Sequence, residues 1–139
     1  MADLKVLVVE DEPTMRQMLK EMLFRAGASK VTESETAQGA TDAYKAEQFD
    51  IVMLDLGLPD GDGHTLMQEF KAQNNKQHVV LVTADDSIES IQKAISAGAN
   101  GYVVKPYSQE KIQDVVNNYM MVHGVDERIG RDSSGFGDL

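Results

Sequence analysis

Five residues could do chemistry together if the chain brought them to one place: Glu10, Asp11, Asp55, Thr83 and Lys105. Each stands where a short apolar run stops. Asp55 follows Ile51-Val52-Met53-Leu54, a continuous apolar run with β-branched members that reads as a strand buried on both faces, and a loop rich in Gly, Pro and Asp follows it. Glu10-Asp11 ends the run Leu4 to Val9, Thr83 ends Val79 to Val82, and Lys105 ends Tyr102-Val103-Val104. In open α/β sheets ligands sit beyond the carboxyl ends of the strands, so these side chains point into one site. Three carboxylates crowded together repel unless a cation sits among them, and hard oxygen donors select Mg²⁺ or a similar ion such as Mn²⁺. Such an ion with open positions suits phosphate oxygens. Asp55 could then attack phosphorus and become an aspartyl phosphate, with the Lys105 ammonium and the Thr83 hydroxyl placed for the phosphoryl oxygens. Positioning and charge neutralisation supply most of what phosphoryl transfer needs, so no histidine base is required. His64, His78 and His123 lack paired ligand spacing and read as ordinary surface or packing residues.

The elements that must hold these residues alternate. After the first strand, Pro13 suits the first turn of a helix carrying Met15, Met18, Leu19, Met22 and Leu23 at helical spacing, which makes the methionines core packing rather than a copper site. Gly27 is the expected left-handed cap. A weaker strand, Lys30 to Ser34, belongs near an edge, and a short helix starting at Ala37 or Ala40 runs to Glu47 with Gly39 as its weak point. The remaining helices are Thr65 to Ala72 with Leu66, Met67 and Phe70; one capped by Ser87 with Ile88, Ile91 and Ile95; and one opened by Ser108 with Ile112, Val115, Val116, Tyr119 and Met120. Five short strands alternating with five helices imply an α/β fold: a doubly wound, five-stranded parallel sheet, flavodoxin-like in its order 2-1-3-4-5, with helices on both faces. In that order only the second strand brings no reactive group, and it lies outermost.

Composition narrows the function. The 139 residues fit one domain, with 42% apolar and 26% charged residues, and a net charge of -10 argues against unaided nucleic-acid binding and against an acidic partner. No apolar run approaches the ~18 residues of a membrane span, and the opening Met-Ala-Asp-Leu-Lys lacks the layout of a secretory signal. The absence of cysteine fits a reducing, cytoplasmic setting. Residues 1–123 read as the folded domain, and 124–139, rich in glycine and charge, as a flexible tail.

Taken together, the acidic pair Glu10-Asp11, Asp55 with Leu58-Pro59 and Gly63 behind it, Thr83-Ala84, and Tyr102-Val103-Val104-Lys105-Pro106 resemble the motifs of a response-regulator receiver domain of two-component signalling. They span residues 4 to about 122, and the Gly-Tyr-Val-Val-Lys-Pro run is similar to that of stand-alone, chemotaxis-type regulators. The resemblance implies that a sensor histidine kinase or phosphotransfer protein donates to Asp55, with Mg²⁺ held by Asp11, Asp55 and the Gly57 carbonyl and by Glu10 through water. It implies that Thr83 and Tyr102 form the switch and that Gly57 and Asp85 tune the lifetime of the phosphoryl group. A protein target would then bind the face built from the fourth helix, fifth strand and fifth helix, the chain being a monomer or a weak phosphorylation-dependent dimer. Ala99-Asn100-Gly101 replaces the paired acids of the winged-helix transcription-factor subfamily.

Two other readings stand beside this one. An aspartyl-phosphate phosphatase of the haloacid-dehalogenase kind places a second Asp two residues after its nucleophile as general acid, and here Gly57 occupies that place. The other alternative is the receiver portion of a DNA-binding transcriptional regulator, cut after its linker.

Overall fold

The computed structural model describes residues 3–124. The tail expected over 124–139 therefore lies, after its first residue, outside the described residues. The chain runs β1 (Lys5–Val9), α1 (Pro13–Arg25), β2 (Lys30–Ser34), α2 (Ala37–Ala46), β3 (Ile51–Asp55), then a small hairpin of β4 (Gly57–Leu58) and β5 (Gly61–Asp62). It continues with α3 (Gly63–Gln73), β6 (His78–Thr83), α4 (Ile88–Ser96), β7 (Gly101–Val104) and α5 (Gln109–Tyr119), and the last turn, Met120–Gly124, widens into a π-helix.

Five strands pair in parallel in the order β2-β1-β3-β6-β7, which is the expected 2-1-3-4-5 order once the hairpin is set aside. Alternating side chains feed two cores because successive residues of a strand face opposite sides. Val6, Val8, Ile51, Met53, Val80, Val82 and Val103 meet Leu19 and Leu23 of α1 and Ile112 and Val116 of α5. On the opposite face Leu7, Val9, Val52, Leu54, Val79 and Leu81 meet Ala40, Leu66, Met67, Phe70 and Ala94. With both faces covered, β3 is buried at every position, whereas β2 at the sheet edge buries only Ser34.

Several local expectations change. Met18 is exposed, and only Leu19 and Leu23 of the α1 stripe are buried, so the apolar spacing there is wider than the contact it makes. On α4 the outward side carries Ile88 at 69% and Ile95 at 54% exposure, while Ala94 alone is buried. The helix α2 begins at Ala37 despite Gly39, because Thr36 accepts the Gly39 N–H at 2.9 Å. A Cβ at 39 would stand 2.6 Å from Ser34 Oγ, so a larger residue there would have to turn the Ser34 hydroxyl aside. Gly27 has φ +116° as expected, and Gly98 closes α4 in the same left-handed way at φ +107°.

Of the two expectations for His78, surface or packing, the structure shows packing. The residue is 1% exposed, its Nδ1 lies 3.2 Å from His123 Nε2, its ring meets Tyr119 edge-on, and its Nε2 has no hydrogen-bond partner among the described residues. Burial, then the charges of His123 and Lys71, push its pKa down from 6.5 to about 4. Because the folded value lies below the unfolded one, the unfolded chain binds the proton first and stability falls as pH drops from about 6.5 toward about 4, by at most ~1.4 kcal/mol per pH unit. Denaturant midpoints near pH 7 and pH 5 should show wild type losing more stability than His78→Gln over that interval; equal losses would contradict the buried neutral ring.

Candidate functional site at the carboxyl ends of the strands

Register sets the site. Leu54 lies beside Val9 on one side and Leu81 on the other, and Asp55 lies beside Val82, so the residues that follow β1, β3 and β6 emerge at one level. Thr83 pairs with Val104, and its carbonyl accepts the Lys105 N–H at 2.7 Å, which fixes the start of the Lys105 side chain. The Lys105–Pro106 peptide is cis.

Carboxylate oxygens of Glu10, Asp11 and Asp55 lie within 4.8 Å of one another. Glu10 is 1% and Asp55 7% exposed, whereas Asp11 faces solvent. Among the described residues the cation that answers them is Lys105, whose Nζ lies 2.9 Å from Glu10 Oε1 and 3.0 Å from Asp55 Oδ2. Burial works against the ammonium, but the hydrogen bonds to Glu10 and Asp55 and their charges outweigh it and raise the Lys105 pKa above its ordinary value. Lys105 is therefore held as a cation. One ammonium leaves the three-carboxylate cluster short of positive charge, and an all-oxygen donor set of this kind fits Mg²⁺ or Mn²⁺ rather than a softer metal.

The loop after Asp55 is shaped by close contact. The Gly57 N–H donates to Asp55 Oδ1 at 3.0 Å, turning the chain back beside the carboxylate. At Gly63 a Cβ would stand 2.6 Å from the Asp55 carbonyl oxygen and 2.9 Å from Leu56 Cα, so no side chain fits. Helix α3 consequently starts at Gly63, capped by Asp62, two residues before the expected Thr65.

Thr83, Tyr102 and Asp85 form a neighbouring group. Thr83 Oγ1 accepts from Asp85 N at 3.2 Å, and the Tyr102 hydroxyl donates to the Asp85 carbonyl at 2.8 Å. The Asp85 carboxylate is occupied by the Ser90 hydroxyl and by Ser87 N at 2.9 Å, which hold its pKa down and tie the loop to the first turn of α4. The chain thus brings Lys105 into direct contact with Glu10 and Asp55, sets a carboxylate oxygen of Asp11 within 4.8 Å of theirs, hangs Gly57 on Asp55, and places Thr83, Tyr102 and Asp85 in a linked set at the adjoining strand ends.

Two supporting residues escaped the sequence reading. The Tyr107 hydroxyl, buried, donates to Glu10 Oε1 at 2.9 Å, and Arg16 Nη1 donates to the Glu10 carbonyl at 2.9 Å. Burial, reinforced by the Glu10 charge, raises the Tyr107 pKa far above its ordinary value, so the hydroxyl stays protonated and serves as a donor. An aromatic after Lys-Pro signals packing; nothing in the sequence says that its hydroxyl reaches back to residue 10.

The comparisons with known proteins agree with this geometry. A family model described as response regulator receiver domain matches residues 6–117. The chemotaxis protein CheY of Bacillus subtilis is 30% identical over 113 residues, covering 81% of this chain and 94% of that protein. Chemotaxis protein CheY-3 of Vibrio cholerae is 32% identical over 114 residues, covering 81% and 88%. Among solved structures, V. cholerae CheY4 superposes with a TM-score of 0.78 at 26% identity, covering 85% of this chain and 99% of that one. The BeF3-activated DrrB receiver domain superposes at 0.75 with 28% identity, covering 86% and 99%.

Tyr107→Phe tests the support under Glu10, since it deletes one hydrogen bond to a buried carboxylate and little volume. Unfolding in urea should show a loss of about 1.5–3 kcal/mol, the usual worth of a hydrogen bond to a charged group, and an unchanged midpoint would mean the hydroxyl contributes nothing.

Proposed function

The chain belongs to the response regulator receiver family, and from that premise we propose that it is a phosphorylation-controlled switch whose acceptor is Asp55. The observation that carries the reading is the double contact of Lys105 Nζ with Glu10 and Asp55 inside a cluster of three hard-oxygen ligands. Asp11, Asp55 and the Gly57 carbonyl would hold Mg²⁺ or Mn²⁺, with Glu10 acting through water. When bound, the ion neutralises charge on the phosphoryl oxygens and orients them.

The residues of the chain do the rest. One Asp55 carboxylate oxygen attacks the phosphorus of a phosphohistidine on a sensor kinase or phosphotransfer protein; the P–O bond forms as the P–N bond breaks, and the imidazole leaves with its electron pair and takes a proton from solvent. Lys105, already on Asp55, supplies a fixed ammonium for the oxygens of the transferred group. The Thr83 hydroxyl then gains a charge-assisted hydrogen bond by turning toward that group. Such a turn releases the contact with Asp85 N, which also carries the Tyr102 hydroxyl on its residue's carbonyl, so the switch residues move as a linked set. Gly57 and Asp85 flank the approach of the water that later cleaves the P–O bond, and their small size and occupied carboxylate set the lifetime of the modification. The chain in this reading catalyses only its own phosphorylation and dephosphorylation.

The responding surface is α4, β7 and α5. It carries the exposed Ile88 and Ile95, Tyr102, and a groove of about 370 Å³ whose rim includes Lys111 and Asp114. Apolar residues rimmed by charge suit a protein target.

Acetyl phosphate with Mg²⁺ should add one hydroxylamine-labile phosphoryl group, seen as a single mass increment, and Asp55→Asn should bring it to background. Equal labelling of Asp55→Asn would place the acceptor elsewhere. Lys105→Ala should still bind Mg²⁺, yet modification should no longer change affinity for the target; normal coupling in that variant would remove the role given to Lys105. Continuous release of phosphate from many esters would indicate a phosphatase instead.

A further inference from the structure

Asp60 stands in the turn between β4 and β5 and is exposed, yet its carboxylate is fully engaged at a distant point in the chain. Oδ1 accepts from Ala37 N at 2.7 Å and Oδ2 from Gln38 N at 3.1 Å. These are the first two amides of α2. A helix start leaves its first amides without helical partners; here Asp60 takes those of Ala37 and Gln38 and Thr36 Oγ1 takes that of Gly39, before Ala40 N makes the first regular helical bond to the Thr36 carbonyl. The approach is close, since a Cβ on Gly61 would meet Ala37 Cβ at 3.0 Å. Both amide bonds also hold the Asp60 pKa below its ordinary value, as expected for a carboxylate serving as an anion cap.

The hairpin that Asp60 closes begins at Gly57, which pairs with Asp62, while Leu58 pairs with Gly61 and is buried. Gly57 has no side chain to anchor it. Its place beside Asp55 is set by the Asp55 Oδ1 contact and by the hairpin behind it. We propose that Asp60 is a positioning residue: by clasping the hairpin to the N-terminus of α2 it fixes where the Gly57 backbone stands next to the acidic cluster, and so sets the affinity of the site for a divalent ion. This rests on the reading of that cluster as a Mg²⁺ site. Helix α2 thereby becomes part of the support of the metal loop, although it contributes no ligand.

Thr36 provides an internal control, because it caps the same helix through Gly39 N and has no hydrogen bond to the hairpin among the described residues. In the full chain, Asp60→Ala and Thr36→Ala should both lower the urea midpoint, but only Asp60→Ala should weaken Mg²⁺ binding in calorimetry, by roughly 10-fold, the lower end of what loss of a residue supporting a ligand costs. Asp60→Asn, with one acceptor oxygen in place of two, should fall between. Amide exchange at Gly57, measured without metal, separates the clasp from the metal reading: it should quicken in Asp60→Ala and stay unchanged in Thr36→Ala. Equal exchange in both variants, or equal Mg²⁺ affinity, would overturn the clasp. Failure of wild type to bind Mg²⁺, with the Gly57 difference intact, would instead overturn the reading of the acidic cluster.

Discussion

Everything in this molecule is arranged around mutual repulsion that the fold tolerates. Glu10, Asp11 and Asp55 hold like charges within a few ångströms, and two such charges about 4 Å apart cost roughly 4 kcal/mol at the effective dielectric of a protein surface. Lys105 offsets part of this by touching two of the three at once. The Tyr107 hydroxyl and the Glu12 N–H add donors to Glu10, the latter at 3.2 Å. What remains is a deficit of positive charge at a place shaped by hard oxygen atoms, which is the setting a divalent cation favours.

Holding such a cluster together is the work of the two cores. Strands β1, β3 and β6 are buried from end to end save for their first or last residues, so their carboxyl ends cannot drift apart without exposing Val8, Leu54 or Leu81. The support is uneven across the sheet. Helices α1, α3 and α5 each bury two or more large apolar side chains, whereas α4 buries only Ala94 and leaves two isoleucines in solvent. Elements with little buried apolar contact open at low free-energy cost. The helix tied to Asp85 through Ser87 and Ser90, next to Thr83 and Tyr102, thus shares with α2, which buries only Ala40, the weakest hold on the core.

How much of this was legible in the sequence follows from range. Four of the five strands of the main sheet announced themselves by largely apolar runs, and because the strands of that sheet are all parallel, their end residues were bound to share one edge; Glu10, Asp11, Asp55, Thr83 and Lys105 could be found that way. The start of α2 is set by contacts that no local rule contains, since Gly39 lies close against the Ser34 hydroxyl and the helix is capped from Asp60, more than twenty residues on. Tyr107 and His78 were hidden for the same reason, their partners lying 97 and 45 residues away. Apolar spacing misled at Met18, Ile88 and Ile95, because periodicity marks a stripe and says nothing about how much of it a neighbouring element covers.

The most direct test is a crystal structure of the chain grown with Mg²⁺ and beryllium fluoride, which mimics a phosphoryl group on a carboxylate. Beryllium should sit on an Asp55 oxygen, with one ion about 2.1 Å from oxygens of Asp11, Asp55 and the Gly57 carbonyl, and the Lys105 ammonium should turn from Glu10 onto a fluoride. A structure with beryllium or the ion elsewhere, and Lys105 still bridging Glu10 and a bare Asp55, would contradict the role given to Asp55.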